Sequence, residues 1–166
     1  MKRKIFISIF STLTAFCLWN CEQSSKKATE NSQQEINELP YLNYKTLSGE
    51  SSSTRNLPGA SILILFNTDC DHCQREAKEI AEKSEAFKNY EVLFIAADSV
   101  HHIQNFAKTY NLVDKPNINF GQAEFQDVFV NFGSIPTPAI YVYSRERKFV
   151  KSFLGETPVE ELIKYL

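Results

Sequence analysis

Ile62-Leu63-Ile64-Leu65-Phe66-Asn67-Thr68-Asp69-Cys70-Asp71-His72-Cys73 joins an unbroken apolar run to two cysteines separated by two residues. The run has strand length, and continuous hydrophobicity marks a strand buried on both faces. From about His72 to Tyr90 the period becomes helical, with Ala77, Ile80, Ala81 and Phe87 on one face. The cysteines therefore fall where a buried strand feeds a helix. Unpaired backbone N–H groups and the helix dipole at that point favour an anion, which suits a Cys70 thiolate. Cys73 follows one turn later, close enough to attack a mixed disulfide formed at Cys70.

The rest of the folded part extends this pattern. Tyr41, Leu42, Tyr44 and Leu47 suggest an initial extended segment, ended by Ser48-Gly49. Val92-Leu93-Phe94-Ile95-Ala96 reads as a second buried strand. A helix follows, capped by Asp98 or Ser99, with Val100, Ile103, Phe106, Ala107 and Tyr110 turned inward. Phe125, Val128, Phe129 and Phe132 suggest a short helix, and Ala139–Tyr143 with Phe149–Phe153 a hairpin. Thr157-Pro158-Val159-Glu160 has the pattern of a capping box opening a last helix. A strand–helix–strand opening implies a parallel central pair, and a hairpin adds antiparallel strands at an edge. The expected fold class is α/β, a three-layer domain with a central mixed β-sheet flanked by helices.

The first residues read as an address. Lys2-Arg3-Lys4 precedes the apolar stretch Ile5–Trp19, the order of a secretory signal, and that stretch is shorter than the roughly 20 residues of a bilayer span. Leu18-Trp19-Asn20-Cys21 resembles a bacterial lipobox, in which cleavage precedes a lipidated cysteine; Trp19 and Asn20 depart from the usual small residues. The alternative is an ordinary secretory signal with an incidental Cys21. The expected organisation is a lipoprotein signal peptide over 1–20, a flexible polar tether over 21–38 and a folded domain over 39–166. Glu22–Glu38 carries only Ala28 and Ile36 as apolar side chains, too few to offset the entropy of ordering. Cys17 leaves with the signal. Cleavage removes three of eighteen basic residues and none of the twenty acids. The remaining acidic balance gives no basis for nucleic-acid binding.

Chemistry is concentrated at Cys70 and Cys73. A cationic His72 would favour the Cys70 thiolate, while Asp69 and Asp71 push the other way. Glu76 shares the helix face of Cys73 and could relay a proton from that thiol. A structural zinc needs four ligands, and no second cysteine pair exists in the domain. C-type haem attachment needs a histidine where Gln74 stands. No metal and no cofactor is expected. A permanent structural disulfide is the other reading of the pair.

These features resemble the thioredoxin fold, and within it the periplasmic thiol–disulfide oxidoreductases typified by TlpA and ResA. The likeness runs from about Leu39 to Leu166. It rests on the Cys70-x-x-Cys73 junction, its Glu76 continuation, the Val92–Asp98 strand and a proline before the hairpin. The resemblance implies a redox-active Cys70–Cys73 disulfide. It also implies a cis-proline opposite the cysteines that helps bind substrate backbone. Pro138, with Thr137 before it, has the family register, and Pro136 is the second candidate. Two departures stand out: Asp69 replaces the aromatic residue common before the first cysteine, and Ile64 stands where thioredoxins carry a buried acid.

The resemblance therefore implies a monomeric enzyme, tethered to the inner or outer membrane by lipid on Cys21 and facing the periplasm. It would reduce protein disulfides and be re-reduced by a membrane electron donor. Two alternatives remain open. A peroxiredoxin-like thiol peroxidase would want a Pro-x-x-x-Thr-x-x-Cys pattern, which the residues before Cys70 lack. A non-enzymatic binding lipoprotein would keep the disulfide closed.

Overall fold

The structure is a computed structural model and describes residues 37–166. The expected signal peptide, Cys17, the expected lipidation site Cys21 and nearly all of the expected tether lie outside the described residues. The described residues begin slightly before Leu39. Phe149 donates its N–H to the Asn37 carbonyl at 3.0 Å, and Glu38 bridges to Lys148.

One seven-stranded sheet organises the domain, in the order β2-β1-β5-β4-β3-β6-β7. Its strands are β1 (Asn43–Thr46), β2 (Ser51–Ser53), β3 (Ser61–Leu65), β4 (Glu91–Ala96), β5 (Ile118–Gln122), β6 (Ala139–Tyr143) and β7 (Phe149–Leu154). The helices are α1 (Asp71–Glu82), α2 (Val100–Thr109), α3 (Phe125–Phe132) and α4 (Val159–Ile163). β3 is buried throughout because β4 pairs with it in parallel and β6 antiparallel. Its side chains alternate between two cores. Ile62, Ile64 and Phe66 pack with Ala77 and Ile80 of α1, Ile103 and Phe106 of α2, and Val159 and Leu162 of α4. Leu63 and Leu65 face Phe132 of α3 and the N-terminal residues Leu39, Leu42 and Leu57. The three-layer α/β architecture is as the sequence implied. Among the described residues no helix is long and apolar enough to cross a membrane.

Several local expectations needed correction. α1 stops at Glu82, and a 3-10 turn over Ser84–Phe87 carries the chain on. Phe87 is still fully buried, so a tighter turn delivers the same apolar contact that a continued α-helix was expected to make. Asn117 holds that turn by donating to the carbonyls of Phe87 and Tyr90 at 2.8 and 3.0 Å. β2 and β5 were not anticipated. β2 is three serines at the sheet edge, with no apolar residue to signal it. β5 alternates buried Ile118 and Phe120 with exposed Asn119, but Asn and Gly in so short a segment mask the period. Gly121 is required there: a Cβ would lie 2.4 Å from Tyr44 Cδ2 and 2.8 Å from Ile95 Cδ1. The capping box at α4 does not form. Its N-cap is Pro158, and Thr157 turns its hydroxyl to the Gly155 carbonyl at 3.2 Å instead.

Candidate active site

β3 and β4 end side by side, and the loop after β3 is clamped by Asp98, two residues past the end of β4. Thr68 donates both its N–H and its hydroxyl to Asp98 Oδ2, each at 2.8 Å. Gln74 donates to the Thr68 carbonyl at 3.0 Å, and Asn67 Oδ1 accepts the Asp69 N–H at 3.0 Å. Asp98 was one of two candidate caps for α2. Ser99 takes that role, accepting the His102 N–H at 3.3 Å, which frees Asp98 for the clamp. Its position at the end of a parallel strand was the available signal, because loops at such ends gather around sites in α/β sheets.

Cys70 is the N-cap of α1, and its sulfur accepts the Cys73 N–H at 3.3 Å. Both cysteines are thiols in the structure, so the disulfide between them is not formed here. They differ in access: Cys70 is half-buried, whereas Cys73 is 3% exposed. Burial, followed by the contact with Cys70, pushes the Cys73 thiol from 9.0 up to about 12. An accessible sulfur at a helix N-terminus and a protonated, buried one behind it are chemically unequal.

The Thr137–Pro138 peptide bond is cis, and Pro138 is buried while Pro136 is exposed. Cys70 Sγ donates to the Thr137 carbonyl at 3.6 Å, so this loop stands directly against the first cysteine. Beside it lies a groove of about 220 Å³ lined by residues including Asn67, Ala97, Phe125, Phe129, Ile135 and Thr137, with no charged side chain among its walls. Phe125 and Phe129 of α3 are 69% and 46% exposed along it. The sequence pattern treated both as one helix face without indicating which side of that face meets solvent.

Glu76 is buried at 3% exposure, on the same α1 face as Cys73. Its Oε1 accepts the Thr157 N–H at 3.1 Å, and its Oε2 has no partner. Burial pushes this carboxyl from 4.5 up to about 8; the Thr157 N–H opposes the shift, and nearby Glu156 and Glu79 add to it. A buried acid with an unused oxygen and a titration near neutrality is suited to proton transfer.

His72 points elsewhere. Its Nδ1 lies 2.5 Å from Glu156 Oε2, whereas the hydrogen bonds of the Cys70 sulfur go to Thr137 and to the Cys73 N–H. Arg75 donates to the same carboxylate through Nε and Nη2, each at 2.6 Å. Glu156 and Thr157 thus join the site from the segment between β7 and α4; the sequence pattern gives Thr157 a capping role and Glu156 none. Among the described residues no three His, Cys, Asp or Glu side chains are grouped to hold a metal ion.

The model of the AhpC/TSA family matches residues 36–151. Thiol-disulfide oxidoreductase ResA of Bacillus cereus is 25% identical over 168 residues, covering 99% of this chain and 92% of the relative. Thioredoxin-like protein YneN of Bacillus subtilis is 36% identical over 118 residues, covering 64% of this chain and 69% of the relative. Among solved structures, StoA of Bacillus subtilis superposes with a TM-score of 0.60 at 16% identity, covering 76% of this chain and 96% of that one. A secreted Mycobacterium tuberculosis disulfide oxidoreductase homologous to Escherichia coli DsbE gives 0.59 at 21% identity, covering 74% and 92%. These two structures share the fold.

Proposed function

The chain belongs to the AhpC/TSA family and is a thiol–disulfide oxidoreductase of thioredoxin-like fold, and we propose that it reduces protein disulfides from a lipid-anchored position facing the periplasm. The observation that carries this reading is the unequal pair, an accessible Cys70 at the start of α1 with a buried Cys73 behind it. Cys70, as thiolate, attacks one sulfur of a substrate disulfide; the S–S bond breaks and the substrate's other sulfur leaves as a thiolate, which takes a proton from solvent. Cys73 then gives its proton to Glu76 and attacks the Cys70 sulfur. That step forms the Cys70–Cys73 disulfide and releases the second substrate thiol, which takes the proton back from Glu76. Two electrons pass to the substrate, and a membrane electron donor restores the dithiol.

Thr137 and the cis-bonded Pro138 serve as the substrate-backbone contact in this scheme, with Pro136 standing outside it on the exposed side. The uncharged groove with its exposed phenylalanines suits an extended, apolar stretch of polypeptide beside the reacting disulfide. His72 tunes the thiolate through the ion cluster it enters rather than by touching the sulfur. The chain works as a monomer.

Direction is tested by equilibrating the purified protein in glutathione buffers and quantifying the Cys70–Cys73 disulfide by mass spectrometry. A reductase should titrate nearer about −270 mV than about −120 mV; a value at the oxidising end would overturn the reducing role. The anchor is tested separately. In cell fractionation the Cys21→Ser chain should move from the membrane to the soluble fraction, and membrane retention equal to the parent would exclude lipid on Cys21.

A further inference from the structure

The segment Gly155–Val159 crosses the active site as a strap. Gly155, at φ +88°, donates its N–H to the Pro138 carbonyl at 2.8 Å. Thr157 donates its N–H to Glu76 at 3.1 Å, and Val159 donates its N–H to Glu79 at 3.3 Å. The backbone on both sides of Glu156 is therefore fastened to the cis-proline loop and to α1. Its carboxylate is delivered from that fixed frame onto Arg75 and His72, near the start of the helix.

We infer that Glu156 is a positioning residue that keeps the dithiol reducing, by holding Arg75 and His72 in a neutralised cluster away from the Cys70 sulfur. This deepens the reductase reading above and rests on it. Cations beside a thiolate at a helix start stabilise the reduced form of a dithiol and make its disulfide more oxidising. Arg75 and His72 both lie on the first turns of α1, the helix that Cys70 caps. Glu156 takes both. It accepts two hydrogen bonds from the Arg75 fork, a geometry that holds orientation as well as charge.

His72 Nδ1 stands between Glu156 Oε2 at 2.5 Å and Arg75 Nη2 at 2.7 Å. Arginine only donates and carboxylate only accepts, so Nδ1 gives its hydrogen to Glu156 when it has one and accepts from Arg75 when it does not. In either state the ring is held off the sulfur. Arg75 and then His72 hold the Glu156 carboxyl down to about 2, so the cluster keeps its anion throughout the working pH range. The other charged groups facing it are acids: Asp71 acts on Arg75 from the helix start, and Glu156 is itself felt by Glu76. The hydrogen bonds of Arg75 and His72 nevertheless go to Glu156.

The test uses the full chain and glutathione, in the balanced reaction dithiol + glutathione disulfide ⇌ protein disulfide + two glutathione thiols. Glu156→Gln should lower the equilibrium constant for oxidation by about three- to tenfold, the scale of one unit charge near a partly solvated site; tenfold corresponds to about 30 mV. Alkylation of Cys70 at pH 6 should accelerate by a similar factor. In an Arg75→Ala/His72→Ala background the same substitution should move the constant less than twofold. A shift below twofold in the parent chain, a shift in the opposite sense, or the full shift persisting without the Arg75 and His72 side chains would each overturn the inference. The parent chain's own potential judges the reductase reading, whereas only the difference between variants judges Glu156.

Discussion

Glu76→Gln should lower stability at pH 4 by about 1–2 kcal/mol and raise it at pH 9 by a few kcal/mol. In the unfolded chain the Glu76 carboxyl titrates at its ordinary value near 4.5, and in the fold burial holds it up to about 8. Below 4.5 both states carry the proton and this group is neutral to folding. Between 4.5 and 8 the folded state keeps a proton that the unfolded state has released, so stability falls as pH rises through that window. Above the folded value the full cost of a buried carboxylate is present, on the order of 4 kcal/mol for a shift of this size. Glutamine never ionises and can still accept the Thr157 N–H, but its amide N–H₂ gains no partner in place of the orphaned Oε2. That unpaired group costs about 1–2 kcal/mol at every pH and trims the gain.

Urea unfolding of both proteins at pH 5 and pH 9 measures this, and parallel behaviour of the two would show that Glu76 is not titrating in the fold. The same substitution should slow resolution of a mixed disulfide at Cys70 by about 10²-fold, because the acceptor for the Cys73 proton is gone. Greater stability with slower resolution is a combination that simple damage to the fold would not produce.

The legible and illegible parts of the molecule divide on physical lines. The strands β3, β4 and β6 were readable because each is buried on both faces and so needs an unbroken apolar run. The site nucleus was readable too, because Cys70, Cys73 and Glu76 are fixed relative to one another by a single helix. Edge strand β2 left no signal, since nothing packs on it that would demand a hydrophobic residue. The longer-range members of the site were hidden for another reason. Asp98 reaches Thr68 across 30 residues and Glu156 reaches Arg75 across 81, and no local pattern encodes such a meeting. Thr157 misled because its neighbours fit a capping pattern, while the buried Glu76 carboxyl, 81 residues away in sequence, takes its backbone N–H.

Cys73→Ala should convert the protein from a turnover catalyst into a trap. Cys70 would still attack, but the resolving thiol one turn away, which competes as an intramolecular nucleophile, would be absent. Protein-disulfide turnover should fall by about 10³-fold or more, and polypeptides should accumulate in disulfide linkage to Cys70, released by dithiothreitol. Cys70→Ser, which removes the accessible sulfur and leaves the buried one, should give neither turnover nor adducts. Mass spectrometry of the captured peptides places the linkage at Cys70 and identifies the substrate. A Cys73→Ala chain that captures nothing would remove the main support for disulfide exchange and favour a binding role for the fold. Peroxide consumption that survives in the same variant would instead favour a thiol peroxidase, because peroxide cleavage needs only the first sulfur.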